Sequence, residues 1–94
     1  MKVSKADVPT ANAASYLRQL CRHWAHKFPV QFNDEHGRIE LSSAICTLDA
    51  TPATLAVLIE IRDSEDQSRI EKVVAEHLQR FGLRELLVFD WRRR

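Results

Sequence analysis

The sequence predicts an α+β fold of two layers, in which a mostly antiparallel sheet carries two helices on one face. Two stretches repeat apolar residues at the period of a helix, whereas residues 55–61 alternate strictly, as in a strand. The chain has 94 residues, and a domain this short buries roughly 60–65% of its unfolded surface, which is enough for one core. The predicted order is β-α-β-β-β-β-α-β, because two helices on one face of one sheet bury every apolar stripe.

The first two predicted elements are an edge strand and a helix. Residues 2–8 alternate small or apolar side chains with charged ones, which is typical of the edge of a sheet. Pro9 and Thr10 suit a helix start, and the helical pattern continues to about Lys27. Its apolar stripe consists of Ala13, Leu17, Leu20, Cys21, Trp24 and Phe28.

Four strands are predicted between the helices. Apolar and polar side chains alternate in residues 30–33 and again in residues 38–41, which predicts a hairpin. Gly37, in the turn between them, is expected to supply a positive φ. Residues 45–49 form another short strand. The strongest strand pattern is that of residues 55–61, in which every second side chain is Leu, Val or Ile.

The last two predicted elements are a helix and a closing strand. Ser64 has Gln67 three residues later, which is the spacing of a capping box at a helix start. Gly82 stands where a glycine commonly ends a helix, and residues 84–91 alternate as a strand. The inner stripe of the helix consists of Ile70, Val73, Val74, His77, Leu78 and Phe81.

Charge argues against a nucleic-acid-binding domain. The chain has 14 Lys and Arg and 13 Asp and Glu, a net charge of +1, but three of the positive side chains are Arg92, Arg93 and Arg94. Without them, residues 1–91 carry 11 positive and 13 negative side chains, a net −2. Nucleic-acid-binding domains usually carry a basic face, so nucleic acid is not an expected partner. We predict a single domain, 1–94, in which residues 92–94 form a disordered basic tail.

The sequence predicts a cytoplasmic location without a membrane partner. No apolar run approaches the ~18 residues that span a bilayer, and the first residues do not resemble a signal peptide. Cys21 and Cys46 are therefore expected to be reduced and to pack as small apolar side chains.

One helical segment carries the densest cluster of reactive side chains. His23 and His26 are three residues apart, so their Cβ atoms are expected about 5–6 Å apart on one helical face. They are candidate ligands for a transition metal, with His36, Asp34 or Glu35 of the hairpin turn completing the site. Cys21 projects from another part of the helix and is excluded from that site. The alternative is that both histidines are ordinary solvated residues.

His77 is the unusual member of the second apolar stripe. A buried imidazole requires a hydrogen-bond partner, and a backbone carbonyl or Tyr16 is expected to provide it. The alternative is that His77 lines a ligand pocket walled by Trp24 and Trp91.

A set of residues spread over most of the chain is similar to a known bacterial family: Tyr16, Leu17, Leu20, Cys21, His23, His26, Lys27, Gly37, Ile39, His77, Leu78, Arg80, Phe81, Arg84, Glu85 and Trp91. On these residues the chain resembles the family named domain of unknown function 2218. The resemblance covers nearly the whole chain and implies a compact α+β domain of roughly 90–100 residues. It implies no established activity, and it suggests a link to iron or siderophore handling.

Three functions remain open from the sequence. The first is a small binding or accessory domain without catalytic activity, which takes a metal or a small chelate near His23 and His26. The second is a small enzyme that uses a histidine as general base. The third is a self-associating module that pairs through the edge strand at residues 2–8.

Overall fold

Eight elements make up the fold, and the computed structural model describes all 94 residues. The single sheet has the strand order β2-β3-β4-β5-β1-β6, and every neighbouring pair is antiparallel. The α+β class and the predicted element order are confirmed. The elements are β1 (Lys2–Pro9), α1 (Ala13–Trp24), β2 (Val30–Phe32), β3 (His36–Glu40), β4 (Ala44–Ala50), β5 (Thr54–Ile61), α2 (Gln67–Phe81) and β6 (Arg92–Arg93).

The core lies between the two helices and one face of the sheet. Alternate residues of β5 are fully buried, as the strict alternation of residues 55–61 predicts. Helix α1 packs against β2, β3, β4 and β5, whereas α2 packs against β1 and β5. The buried apolar residues of the helices are Ala13, Tyr16, Leu17, Leu20, Cys21, Trp24, Ile70, Val74 and Leu78.

Both glycines are needed for space rather than for backbone conformation. Neither has a positive φ, so the expectation of a positive φ at Gly37 was wrong. Gly37 lies in β3, and a Cβ atom there would come 2.8 Å from the sulfur of Cys21. A Cβ atom on Gly82 would come 2.9 Å from the Tyr16 hydroxyl. Each glycine therefore allows α1 to approach a neighbouring segment.

The helices differ from the predictions at their ends. Helix α1 ends at Trp24 rather than near Lys27, and the chain continues in a tighter turn in which the N–H of Lys27 donates to the Trp24 carbonyl, three residues earlier, at 3.0 Å. Helix α2 is capped by Asp66, whose carboxylate accepts from the N–H of Arg69 at 3.2 Å, so Ser64 is not the cap.

The predicted closing strand, residues 84–91, is not formed. Only Arg92–Arg93 pair with β1, opposite Lys5 and Ser4. Continuing this register by two residues would place Asp90 directly opposite Asp7. Like charges in that position destabilise an antiparallel pair, which accounts for the early end of the ladder. Strand β1 also lies between β5 and β6, so residues 2–8 do not form the edge of the sheet.

The C-terminal arginines belong to the fold, so the predicted disordered tail was wrong. Glu71 is buried on α2, and both of its carboxylate oxygens accept hydrogen bonds from the Arg93 guanidinium, at 2.9 and 3.1 Å. Ser4 of β1 donates to the same carboxylate at 2.5 Å. A buried carboxylate requires such partners, and this one binds β1, α2 and β6 together.

We predict that Arg93→Ala lowers the thermal stability and that Arg92→Ala does not. The first change leaves a buried carboxylate without its cation. The second removes an exposed side chain that makes no hydrogen bond or ion pair within the chain. Thermal unfolding of dilute, monomeric protein followed by circular dichroism should show a fall in Tm of about 5 °C for Arg93→Ala, the shift that about 1 kcal/mol causes in a domain of this size. Equal Tm values for the two variants would contradict this assignment.

We also predict a contribution of Glu71 to stability that is lost in acid. Hydrogen bonds from Arg93 hold the pKa of Glu71 below its ordinary value, with a smaller contribution from Ser4, although burial opposes the shift. A carboxyl with a lowered folded-state pKa stabilises the fold above its unfolded-state pKa, and this stability is lost as the pH falls through the folded-state pKa. In Glu71→Gln, Tm should therefore fall less steeply below pH 5 than in the unmodified protein. If the curves of Tm against pH for Glu71→Gln and for the unmodified protein ran parallel below pH 5, the predicted contribution of Glu71 would be contradicted.

Candidate functional site

A groove at the C-terminal end of α1 contains three of the four histidines. The turn after Trp24 brings the N–H groups of Lys27 and Phe28 to within 3.0 and 2.9 Å of the Trp24 carbonyl, so this segment folds around the helix end. His77 reaches the same place from α2. We name this concavity the histidine groove; it has a volume of about 430 Å³ and is lined by His23, Trp24, His26, Lys27, Phe28 and His77.

The backbone of α2 fixes the tautomer of His77. Its Nδ1 atom lies 2.7 Å from the carbonyl oxygen of Val73, one turn earlier in the helix. A carbonyl only accepts hydrogen bonds, so Nδ1 must carry the proton. In the neutral ring, Nε2 therefore keeps its lone pair and is available to bind a metal or to accept a proton. The expectation of a backbone carbonyl partner for His77 is confirmed.

Aromatic and imidazole rings pack around His77. Its ring centre lies 5.0 Å from that of Trp24 and 5.4 Å from that of His23. His23 also makes an edge contact with Phe81, with 6.2 Å between the ring centres. Trp24 is only 6% exposed and forms a rigid wall at the base of the cluster. The two imidazoles from different helices are thereby held side by side.

A second concavity joins the histidine groove along α2. It shares Trp24, Phe28 and His77 with the groove and has a volume of about 270 Å³. One side is lined by Ser42 and Ser43 of the loop between β3 and β4. On the other side Arg69 pairs weakly with Glu65, at 3.5 Å. A ligand bound at His77 can therefore extend towards hydroxyl groups and a guanidinium.

His36 does not lie in the groove. It begins β3, and its Nδ1 atom lies 2.7 Å from a carboxylate oxygen of Asp49 on β4. The concavity that His36 lines is formed with Asn33, Asp34 and Glu35. No group of three or more His, Cys, Asp or Glu side chains is placed to hold one metal ion. The structure thus does not bring His23, His26 and His36 together, because the predicted hairpin turn lies away from the end of α1.

Trp91 is the other predicted pocket residue that the structure places elsewhere. It stacks on Phe89, with 5.8 Å between the ring centres and 19° between the planes. It lines neither the histidine groove nor the adjoining concavity. Of the predicted ligand pocket, His77 and Trp24 are brought together and Trp91 is not.

Neither cysteine is suited to chemistry in the folded protein. Cys21 and Cys46 are both buried and reduced. Burial raises the pKa of Cys21 to about 11 and that of Cys46 to about 12, with a small further contribution from Cys21 to the latter. A thiolate is the nucleophile and the metal ligand, so thiols that stay protonated supply neither function.

A carboxylate network that the sequence did not reveal binds the segment after α2. One oxygen of Glu85 accepts hydrogen bonds from Tyr16, from Thr10 at 3.1 Å and from Asn12 at 2.9 Å. The Tyr16 bond is the main cause that lowers the pKa of Glu85, whereas burial and the Glu85 carboxylate raise the pKa of Tyr16. Asn12, Tyr16 and Glu85 line a concavity of about 510 Å³ with Gln19. The hydrogen bonds from Asn12 and Tyr16 to Glu85 hold residues 83–85 beside α1.

The fold and the groove define a small two-layer α+β domain with an imidazole-rich concavity between the ends of its helices. A family model described as an uncharacterized protein conserved in bacteria, DUF2218, matches residues 5–92, and the chain belongs to that family. This confirms the resemblance seen in the sequence.

No helix is both long and apolar enough to cross a membrane.

One solved structure shows how far the fold is shared. The NMR structure of PA4090 from Pseudomonas aeruginosa is 36% identical to this chain, with a TM-score of 0.80. The match covers 98% of this chain and 96% of the other. Among curated proteins, none matches the chain.

We predict that both cysteines are unreactive towards a water-soluble thiol reagent while the protein is folded. Their sulfur atoms are buried, and their thiols remain protonated near neutral pH. A colorimetric thiol assay at pH 8 should give two equivalents of reactive thiol only after denaturant is added. Rapid labelling of Cys21 in the native protein would show that the contact between α1 and Gly37 opens readily.

Proposed function

We propose that this domain binds a small ligand in the histidine groove and that a transition-metal ion, held by His77 and His23, is part of that ligand. The observation that carries the proposal is the fixed tautomer of His77, whose Nδ1–H is bonded to the Val73 carbonyl at 2.7 Å. Histidines that bind metals almost always donate their other ring N–H in this way, which orients the ring.

The spacing of the two rings suits a shared ion. In tetrahedral zinc sites the metal–nitrogen distance is about 2.0–2.1 Å, which places two imidazole ring centres about 5 Å apart. The ring centres of His23 and His77 are 5.4 Å apart. Imidazole ligands favour zinc, copper, nickel and iron over magnesium and calcium.

Two protein ligands leave coordination positions for other donors. No third His, Cys, Asp or Glu side chain is placed to complete the site, so the remaining positions would be taken by water or by donor atoms of a small chelating molecule. Lys27 lines the groove, whereas Arg69 in the adjoining concavity is already paired with Glu65. The positive charge of Lys27 favours a chelate with an anionic group.

A second candidate function follows from the free lone pair on Nε2 of His77. Nε2 of His77 is free to accept a proton, and its ring is oriented by another group, which is the arrangement of a general base. Under this alternative the domain is a small enzyme, and the ligand carries an acidic proton rather than a metal. Metal titration separates the two candidates, because a general base does not require a metal.

Isothermal titration with Zn²⁺ and Ni²⁺ tests the metal proposal. The unmodified protein should bind one ion per chain in the micromolar range, and His77→Ala and His23→Ala should each weaken binding by about tenfold or more. The reason is that each change removes one of only two protein ligands.

His36→Ala is the matched control for this experiment. His36 is exposed and is bonded to Asp49 outside the groove, so its loss should leave the affinity unchanged. Absence of binding at micromolar metal would contradict the metal proposal. Equal weakening by His36→Ala and His77→Ala would place the metal outside the histidine groove.

A further inference from the structure

One of the two edges of the sheet is formed by its C-terminal strand. Strand β6 pairs with β1 on one side only and is the last strand in the sheet order. The N–H of Arg94 donates to the Val3 carbonyl at 3.0 Å, so Arg94 points its backbone groups towards β1. Because these groups alternate in direction along an extended chain, those of Arg93 point away from β1. The chain continues the same alternation of side chains through Trp91, which directs the backbone groups of Trp91 away from β1 as well.

The backbone groups on this edge have no partner within the chain. Neither the N–H nor the C=O of Trp91 makes a hydrogen bond, and the same holds for Phe89 and Asp90. An edge strand with unpaired groups is a template for another strand. Proteins often protect such an edge with a helix or loop, but residues 89–93 pair with no element on this side.

Side-chain directions along the edge follow strand alternation. Arg93 reaches Glu71 on the helical side of the sheet, and Phe89 and Trp91 pack against the core. Asp90 and Arg92 face the opposite side, where they line a depression of about 200 Å³ together with Lys5, Asp7 and Arg94. Neither Asp90 nor Arg92 has an ion-pair partner within the chain, although their charges are opposite.

We propose that two copies of this chain associate through this edge, by an antiparallel pairing of residues 88–94, which include β6, about a centre at Trp91. A two-fold axis at Trp91 places Asp90 of each copy opposite Arg92 of the other, so two complementary ion pairs form across the contact. The same register places the two Trp91 residues opposite each other and joins their unpaired backbone groups. It also covers the exposed Val88 with the aliphatic part of Arg94 of the second copy.

The charge pattern identifies a second copy as the partner. The Asp-Trp-Arg sequence at 90–92 is complementary to itself when it is read antiparallel. An unrelated strand would need the same arrangement of charges by coincidence. The pairing would join two six-stranded sheets into one continuous sheet, and the helices and their histidine grooves would remain accessible.

Charge exchange tests this interface without weakening the monomer. Asp90→Arg would face Asp7 within the chain, and Arg92→Asp would lie opposite Lys5, so each change favours the existing β1–β6 contact. Across the proposed interface, however, each creates like-charged pairs. Sedimentation velocity should show a concentration-dependent dimer for the unmodified protein, a dissociation constant about tenfold higher for either single variant, and recovery in the double variant.

Phe32→Lys is the matched control, because Phe32 is an exposed apolar residue of β2 at the other edge of the sheet. It should leave dimerisation unchanged, and hydrogen exchange should show that the Trp91 amide is protected only at concentrations at which the dimer forms. A protein that stays monomeric up to millimolar concentration would overturn the proposal. So would a dimer whose dissociation constant neither single charge exchange alters.

Discussion

The buried carboxylate of Glu71 is the constraint on which the rest of the arrangement depends. It lies at 6% exposure between the sheet and α2, where a charge without partners would strongly destabilise the fold. Arg93 and Ser4 supply those partners, so the end of the chain and its first strand are both held to the same helix. Three segments far apart in the sequence therefore meet at one ionised group, and the orientation of α2 on the sheet follows from this meeting.

The position of α2 in turn determines the candidate site. His77 lies on this helix, and its contact with His23 and Trp24 requires α2 to stand at a fixed distance from the end of α1. Gly82 contributes to the same spacing, since a side chain there would collide with Tyr16. The histidine groove is thus a product of tertiary packing between two helices. Neither helix alone holds two imidazoles with their rings side by side.

The spacing of apolar residues along the chain predicted the strands and helices whose buried face depends on that spacing alone. The alternation in β5 and the apolar stripes of both helices identified the buried face, and His77 was recognised as a polar residue in an apolar stripe. Residues 84–91 alternate as a strand does, and the alternation alone predicts one there. The strand does not form, because the register of β6 on β1 would place Asp90 opposite Asp7. The tail was also predicted wrongly, since no local signal connects Arg93 with Glu71. His23 lies beside His77 and not beside His36, because α1 and α2 pack against each other at this point. The periodicity of each helix carries no information about the distance between the two helices.

The hydrogen bond to the Val73 carbonyl requires the neutral His77 to carry its proton on Nδ1 and to keep a free lone pair on Nε2. Nitrogen-15 NMR of the imidazole side chains tests this tautomer most directly, because the two tautomers of a neutral histidine give distinct shifts and couplings. At a pH at which His77 is neutral, we expect a protonated Nδ1 and an unprotonated Nε2, and we expect added Zn²⁺ to move the Nε2 signal first. A proton found on Nε2, with Nδ1 unprotonated, would contradict the hydrogen bond to Val73 and with it the proposed role of the groove.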